Sequence, residues 1–151
     1  EALRPLNLRL VLHNHAGSFV ETRTELDTLC RLTDAAKVGL CLDAGHLAYG
    51  GADVLETFRA HRERLHYVHV KDVGAQVLAR VRREGLGWLD ALRQYPFTEL
   101  GRGSLDIMGL FAYLKESQYG GWVIVEQDTT PRTPLEAARL SRQYLKEVCG
   151  V

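Results

Sequence analysis

Apolar residues along this chain form two kinds of pattern, and the two alternate five times. Short, nearly continuous apolar runs cover residues 8–13, 38–43, 65–71, 97–100 and 122–126, and read as strands. Several are β-branched or aromatic on both faces, as expected for parallel strands covered on either side. Between and after them, residues 24–36, 53–64, 75–94, 106–117 and 134–148 carry helical periodicity. The last of these shows the warrant. Leu135, Ala138, Leu140, Tyr144, Leu145 and Val148 fall mainly on one stripe, while Arg139, Arg142, Lys146 and Glu147 cover the other side. Pro134 stands in the first turn, where its missing N–H costs little, Thr133 can cap it, and Gly150 follows the end. Asp106 before Ile107, and Thr24 with Asp27 three positions on, supply further start signals.

Repeated βα units of about 25 to 30 residues imply a parallel sheet with helices outside. An open doubly wound sheet would place a glycine-rich phosphate loop after an early strand. Here Gly101-Arg102-Gly103 is the nearest candidate, and it follows the fourth strand. A barrel is favoured by where the polar residues sit. The first strand ends in His13-Asn14-His15, the second in Asp43 followed by His46, the third in His69-Val70-Lys71-Asp72, and the fifth in Glu126. The C-terminal strand ends of a (β/α) barrel all point into one mouth. Period two puts His13 with His15, and His69 with Lys71, on shared faces. Asp43, His69 and Glu126 are therefore expected to converge.

Mixed carboxylate and imidazole ligands suit Mn²⁺, Co²⁺, Fe²⁺ or Zn²⁺ better than Ca²⁺. Such an ion can bind a carbonyl and its neighbouring hydroxyl and stabilise the enolate formed when the adjacent carbon loses a proton. Each residue alone also has an ordinary reading. A strand-end Asp is commonly a helix cap; Glu126 can pair with Arg102 or Lys71; Lys71-Asp72 can be a surface ion pair. His66 is turned away from His69 by alternation, and His61 reads as an exposed helix residue. Gly101-Arg102-Gly103-Ser104 either offers backbone N–H groups and a guanidinium to an anion or hydroxyl-rich ligand, or is a plain turn.

Composition adds exclusions. Lys plus Arg and Asp plus Glu both total 19, so the formal net charge is zero and the basic footprint of a nucleic-acid binder is absent. No apolar stretch approaches the roughly 18 to 20 residues needed to span a bilayer. Cys30, Cys41 and Cys149 are too scattered for a disulfide framework, and a reducing, cytoplasmic setting is expected.

Leu42-Asp43-Ala44-Gly45-His46, His66-Tyr67-Val68-His69-Val70-Lys71-Asp72, the Gly101-x-Gly103-x-Leu105-Asp106 turn, and Gly120-Gly121-Trp122 leading to Val125-Glu126 resemble the xylose-isomerase-like barrel superfamily. Within it, His13-Asn14-His15-Ala16-Gly17, Leu32-Thr33-Asp34, and Trp88-Leu89-Asp90-Ala91 before Phe97-Thr98 are similar to the myo-inosose-2 dehydratase family. That resemblance implies loss of water from 2-keto-myo-inositol with a divalent metal and no organic cofactor. It makes Asp43, His69 and Glu126 metal ligands, with His13 in the place where most members carry a glutamate. Lys71, His15 and His46 become the candidate acid–base residues, and Asn14 and Arg102 the candidate substrate contacts. The Asp-x-His pair that an endonuclease IV-type cluster needs before the glycine turn is replaced by Tyr95-Pro96-Phe97-Thr98. A sugar isomerase or epimerase using the same ion, and a non-catalytic half barrel serving as an oligomerising module, are the alternatives.

A (β/α)₈ barrel needs about 200 to 250 residues, so residues 1–151 are expected to be the C-terminal portion of a partial barrel of about five βα units. Open parallel edges then imply a second copy or an N-terminal half as partner, besides a small sugar or cyclic polyol.

Overall fold

A computed structural model describes residues 3–151; Glu1 and Ala2, which open the domain span read from the sequence, lie outside the described residues. These residues form two compact units, one running up to His69 and including Gly121–Ile124, the other made of Val70–Gly120 and Val125–Val151.

The first unit is built on a sheet whose strands β1 (Leu10–His13), β2 (Val38–Asp43), β3 (Leu65–Val70) and β6 (Trp122–Val125) lie in that order. β1, β2 and β3 are parallel, with His13 opposite Cys41 and Asp43 opposite His69. A register shift between Leu40 and Cys41 on β2 accompanies the second pairing. Leu40, Leu42, Val68, Leu26 and Phe58 are fully buried and make the core. Gly39 is required where it stands: a Cβ there would lie 2.1 Å from the His66 ring.

Helix α1 (Arg23–Leu32) starts two residues earlier than the Thr24–Asp27 signal implies. Thr22 caps it, in a reciprocal box with Glu25. The helix also ends before residue 36, because Arg64 reaches across to the carbonyls of Cys30 and Thr33, at 2.7 and 2.6 Å, and satisfies its last turn. Asp43 caps a short helix absent from the sequence reading, α2 (Ala44–Tyr49), and Asp53 caps α3 (Val54–Ala60). His61 is not the exposed residue its helical position suggested: its Nε2 lies 2.8 Å from Asp27, and its side chain is mostly buried.

In the second unit the expected fourth parallel strand is a different object. β4 (Asp72–Val73) and β5 (Phe97–Thr98) form a two-residue antiparallel pair. Glu99 and Leu100, assigned to that strand by their apolar context, instead lead directly into the glycine turn. The single helix read over 75–94 is two, α4 (Ala75–Glu84) and α5 (Trp88–Leu92), because Gly85 takes φ 61° and closes α4. α6 (Ile107–Glu116) is capped by Asp106 as the sequence indicated. α7 (Pro134–Tyr144) has the Thr133 cap and the Pro at its start, then widens into a π-turn over Leu145–Cys149 before Gly150 at φ 69°.

Candidate functional site

Asp43 organises the first unit's cluster because its two oxygens face different duties. Oδ1 accepts from the His46 backbone N–H at 2.8 Å, capping α2. Oδ2 lies 3.6 Å from His13 Nε2 and 3.9 Å from His69 Nδ1. The carboxylate is fully buried, and its backbone is clamped by the equally buried Asn14, whose Oδ1 accepts from the Asp43 N–H at 2.9 Å. Asn14, a candidate substrate contact, thus also fixes the strand end that carries Asp43. The strand register brings the imidazoles together: the His13 and His69 rings are 4.6 Å apart, and His13 lies 5.6 Å from both His15 and His46.

This arrangement has the donor chemistry of a divalent cation site. Ligand atoms of His13, Cys41 and His69 lie within 4.8 Å of one another, as do those of His13, Asp43 and His46. His13 Nε2 is shut away from solvent yet makes no hydrogen bond among the described residues. A buried ring nitrogen beside a carboxylate oxygen is what an ion would satisfy. Cys41, considered in the sequence for disulfide pairing, is buried on β2. Its strand register opposite His13 is the signal that adds it to the cluster.

In the second unit Lys71 is fully buried, not part of a surface pair with Asp72. Its Nζ lies 2.6 Å from Asp128 Oδ2, 3.3 Å from Glu126 Oε2 and 4.9 Å from the centre of the Phe97 ring. A buried ammonium needs such partners, since its desolvation is otherwise uncompensated. Asp128 was missed in the sequence. β6 ends at Val125, so Asp128 stands in the loop beyond it, where strand alternation gives no signal. Asp128 also lines a cavity of ≈ 730 Å³ together with Tyr95, Gln127, Arg132, Ser141 and Arg142.

Asp72 has a separate role. It accepts from the backbone N–H groups of Val73, Gly101, Gly103 and Leu105, at 2.8, 3.0, 3.0 and 3.1 Å. The Arg102 N–H goes to Glu99 O and the Ser104 N–H to Val73 O. Every amide from 101 to 105 is therefore engaged inside the protein, and the turn has no backbone N–H to offer an anion. Only the exposed Arg102 guanidinium keeps that possibility. At the end of the turn's approach, burial pushes the Glu99 carboxyl up, but its hydrogen bonds, including those from its own backbone and Thr130, and the charge of Arg132 hold it below the usual value.

Comparisons with known proteins bear on this geometry. A family model described as xylose isomerase-like TIM barrel matches residues 1–148. An inosose dehydratase of Geobacillus kaustophilus is 42% identical over 142 residues, covering 93% of this chain and 46% of that protein. One from Clostridium botulinum is 38% identical over 146 residues, covering 95% and 49%. The chain thus spans about half the length of the curated relatives it matches. Among solved structures, a probable 3-DHS dehydratase, AsbF, from Bacillus anthracis superposes with a TM-score of 0.76 at 14% identity, covering 97% of this chain and 52% of that one. The IOLI protein with a binding zinc atom superposes at 0.70 and 19% identity, covering 98% and 51%. These structural likenesses show the fold.

Proposed function

Because the chain belongs to the xylose isomerase-like TIM barrel family, we propose that it carries part of a metal-dependent lyase removing water from a keto-polyol such as 2-keto-myo-inositol. The observation that carries the reading is the convergence of His13, Asp43 and His69, with one Asp43 oxygen engaged as a cap and the other turned to the imidazoles. Inosose dehydratases as the matched relatives support the substrate class, and the zinc in the IOLI structure supports a divalent ion.

His13, Asp43 and His69 would hold the ion, and Glu126 joins them on the sequence resemblance. When bound, such an ion supplies Lewis acidity toward the ketone oxygen. The chain's own side chains do the remaining work. Lys71, His15 and His46 are the groups to take the α-proton and to deliver one to the departing hydroxyl. Asp128 and Glu126 hold the Lys71 ammonium in one place. Asn14 keeps the Asp43 strand end in register. Arg102 is left to contact substrate through its guanidinium.

The test is product analysis of the full-length protein with 2-keto-myo-inositol and Mn²⁺ or Co²⁺. Mass spectrometry is expected to show loss of one water. Unchanged substrate removes the assignment, and a product of unchanged mass moves it to an isomerase or epimerase.

A further inference from the structure

The two histidines after β1 and β2 are stacked, and the backbone of one residue, Ala16, touches both. The His15 and His46 rings are 3.8 Å apart and tilted by 35°. His15 Nδ1 lies 2.7 Å from the Ala16 carbonyl oxygen, and the Ala16 N–H points at His46 Nδ1 at 3.3 Å. A carbonyl can only accept and an amide N–H can only donate, so each contact dictates where the imidazole proton sits. In its neutral form His15 then carries its proton on Nδ1 and its lone pair on Nε2. His46 must keep its lone pair on Nδ1, which puts the proton on Nε2.

We propose that the Ala16 backbone, through its carbonyl and its N–H, is a tautomer lock, setting two stacked imidazoles to opposite polarity at their outer nitrogens. His15 is then the member of the pair that accepts at Nε2, and His46 the member that donates there. The geometry supports permanence. Ala16 and His46 are both fully buried, so the bond from the Ala16 N–H to His46 is shielded from water and breaking it would strand a buried polar group, while His15 is half-buried. The segment is also held locally, by His15 N–H to Val20 O at 3.1 Å and Ser18 N–H to His15 O at 3.2 Å.

Two consequences rest on the metal reading above and sharpen it. His46 lies close enough to His13 and Asp43 to be taken for a ligand, yet its outer nitrogen carries a proton and cannot coordinate while the lock holds. Of the three acid–base candidates, His15 is the one whose tautomer suits it to accept from a substrate hydroxyl or carbon acid. Ala16 and His46 act as positioning groups.

The lock is read directly by long-range ¹H–¹⁵N correlation of assigned imidazoles in the 151-residue chain, without zinc and then with zinc added. We expect a pyrrole-type Nδ1 and pyridine-type Nε2 for His15, the reverse for His46, and zinc-dependent shifts at His13 and His69 with the His46 tautomer unchanged. The same tautomer in both rings, or averaged signals, overturns the proposal. So does zinc on His46 Nε2, or on His15 Nε2, which would make His15 a ligand instead of an acceptor. Opposite tautomers with no zinc response at any histidine would uphold the lock while defeating the metal site.

Discussion

Asp43 divides its helix cap and its proposed metal contact between two oxygens, which makes a single-atom test possible. Asparagine at 43 keeps an oxygen able to accept the His46 N–H and so preserves the cap, whose complete loss costs about 0.5–2 kcal/mol. It removes the anionic oxygen between His13 and His69. Asp43→Asn is therefore expected to shift the denaturation midpoint little. Zinc affinity should fall by more than about 100-fold, beyond what loss of an outer-shell partner costs, as read by competition with a chelating dye. Equal affinity in the two proteins would remove Asp43 from the ligand set. His66 supplies a pH test. Burial, and then the nearby charge of Arg9, push its imidazole below the ordinary value, and Arg9 Nη1 sits 2.7 Å from its Nδ1. The folded state thus favours neutral His66, while the unfolded chain takes up a proton near about pH 6.5. The stability it contributes is complete above that pH and is lost as pH falls through it toward the lower folded value. His66→Gln, which keeps an acceptor for Arg9, should flatten the fall in urea midpoint between about pH 7.5 and 5; an unchanged slope would assign the fall to other groups. At this scale the strand-end residues were legible because alternation and strand polarity alone place them. Cys41 and Asp128 were not, since a lone Cys in an apolar run and an Asp in a loop show their partners only once register and loop path are known.

Among the elements, the Gly101–Leu105 turn depends on one carboxylate. Each Asp72 oxygen takes two amide N–H groups, so Asp72→Asn satisfies two of them and sets its own NH₂ against the other two. Losing two charge-assisted bonds in a buried setting costs about 3–5 kcal/mol. We expect a loss of that size in chemical denaturation and faster tryptic cleavage after Arg102; a change under about 1 kcal/mol would show that the turn holds without the carboxylate. Gly103 belongs to the same device, because a Cβ there would fall 2.1 Å from Asp72 Oδ1. Two other glycines test backbone strain against steric exclusion. Gly85 at φ 61° has nothing within 4 Å of a built Cβ, so Gly85→Ala should cost only about 1 kcal/mol. At Gly101 the same change meets the Tyr144 ring at 2.2 Å as well as φ 79°, and the larger loss should fall there. Thermal melts of the two variants compare them; equal losses would dismiss the Tyr144 contact. Strands β1, β2, β3 and β6 and the starts of α6 and α7 were readable because apolar runs and caps are local signals. The break between α4 and α5 was marked by Gly85 and Gly87 but hidden under continuous helical periodicity. The antiparallel β4–β5 pair was misread because strands of two residues carry no information about direction.

For the whole molecule, the alternation of apolar runs with helical periodicity pointed to the α/β class, and the polar strand ends with the chain length to the partial barrel; the family match over residues 1–148 agrees. The sheet itself argues for a partner. Parallel strands are ordinarily covered on both faces and both edges. Here β1 and β6 end the sheet order, and Leu10 is 51% exposed and Trp122 71% exposed on them. Such an edge is open to a complementary strand, and a second copy of the chain can supply it. Sedimentation velocity of the 151-residue chain should therefore show association that grows with concentration. Charge placed on the edge should suppress it, because a lysine facing another strand must be desolvated to pair. Trp122→Lys with Ile124→Lys changes two residues already open to solvent, so the fold bears little of the cost while the pairing surface bears most of it. A parent chain that sediments as a monomer at every concentration, with the double variant indistinguishable from it, would mean the edges are satisfied within one chain.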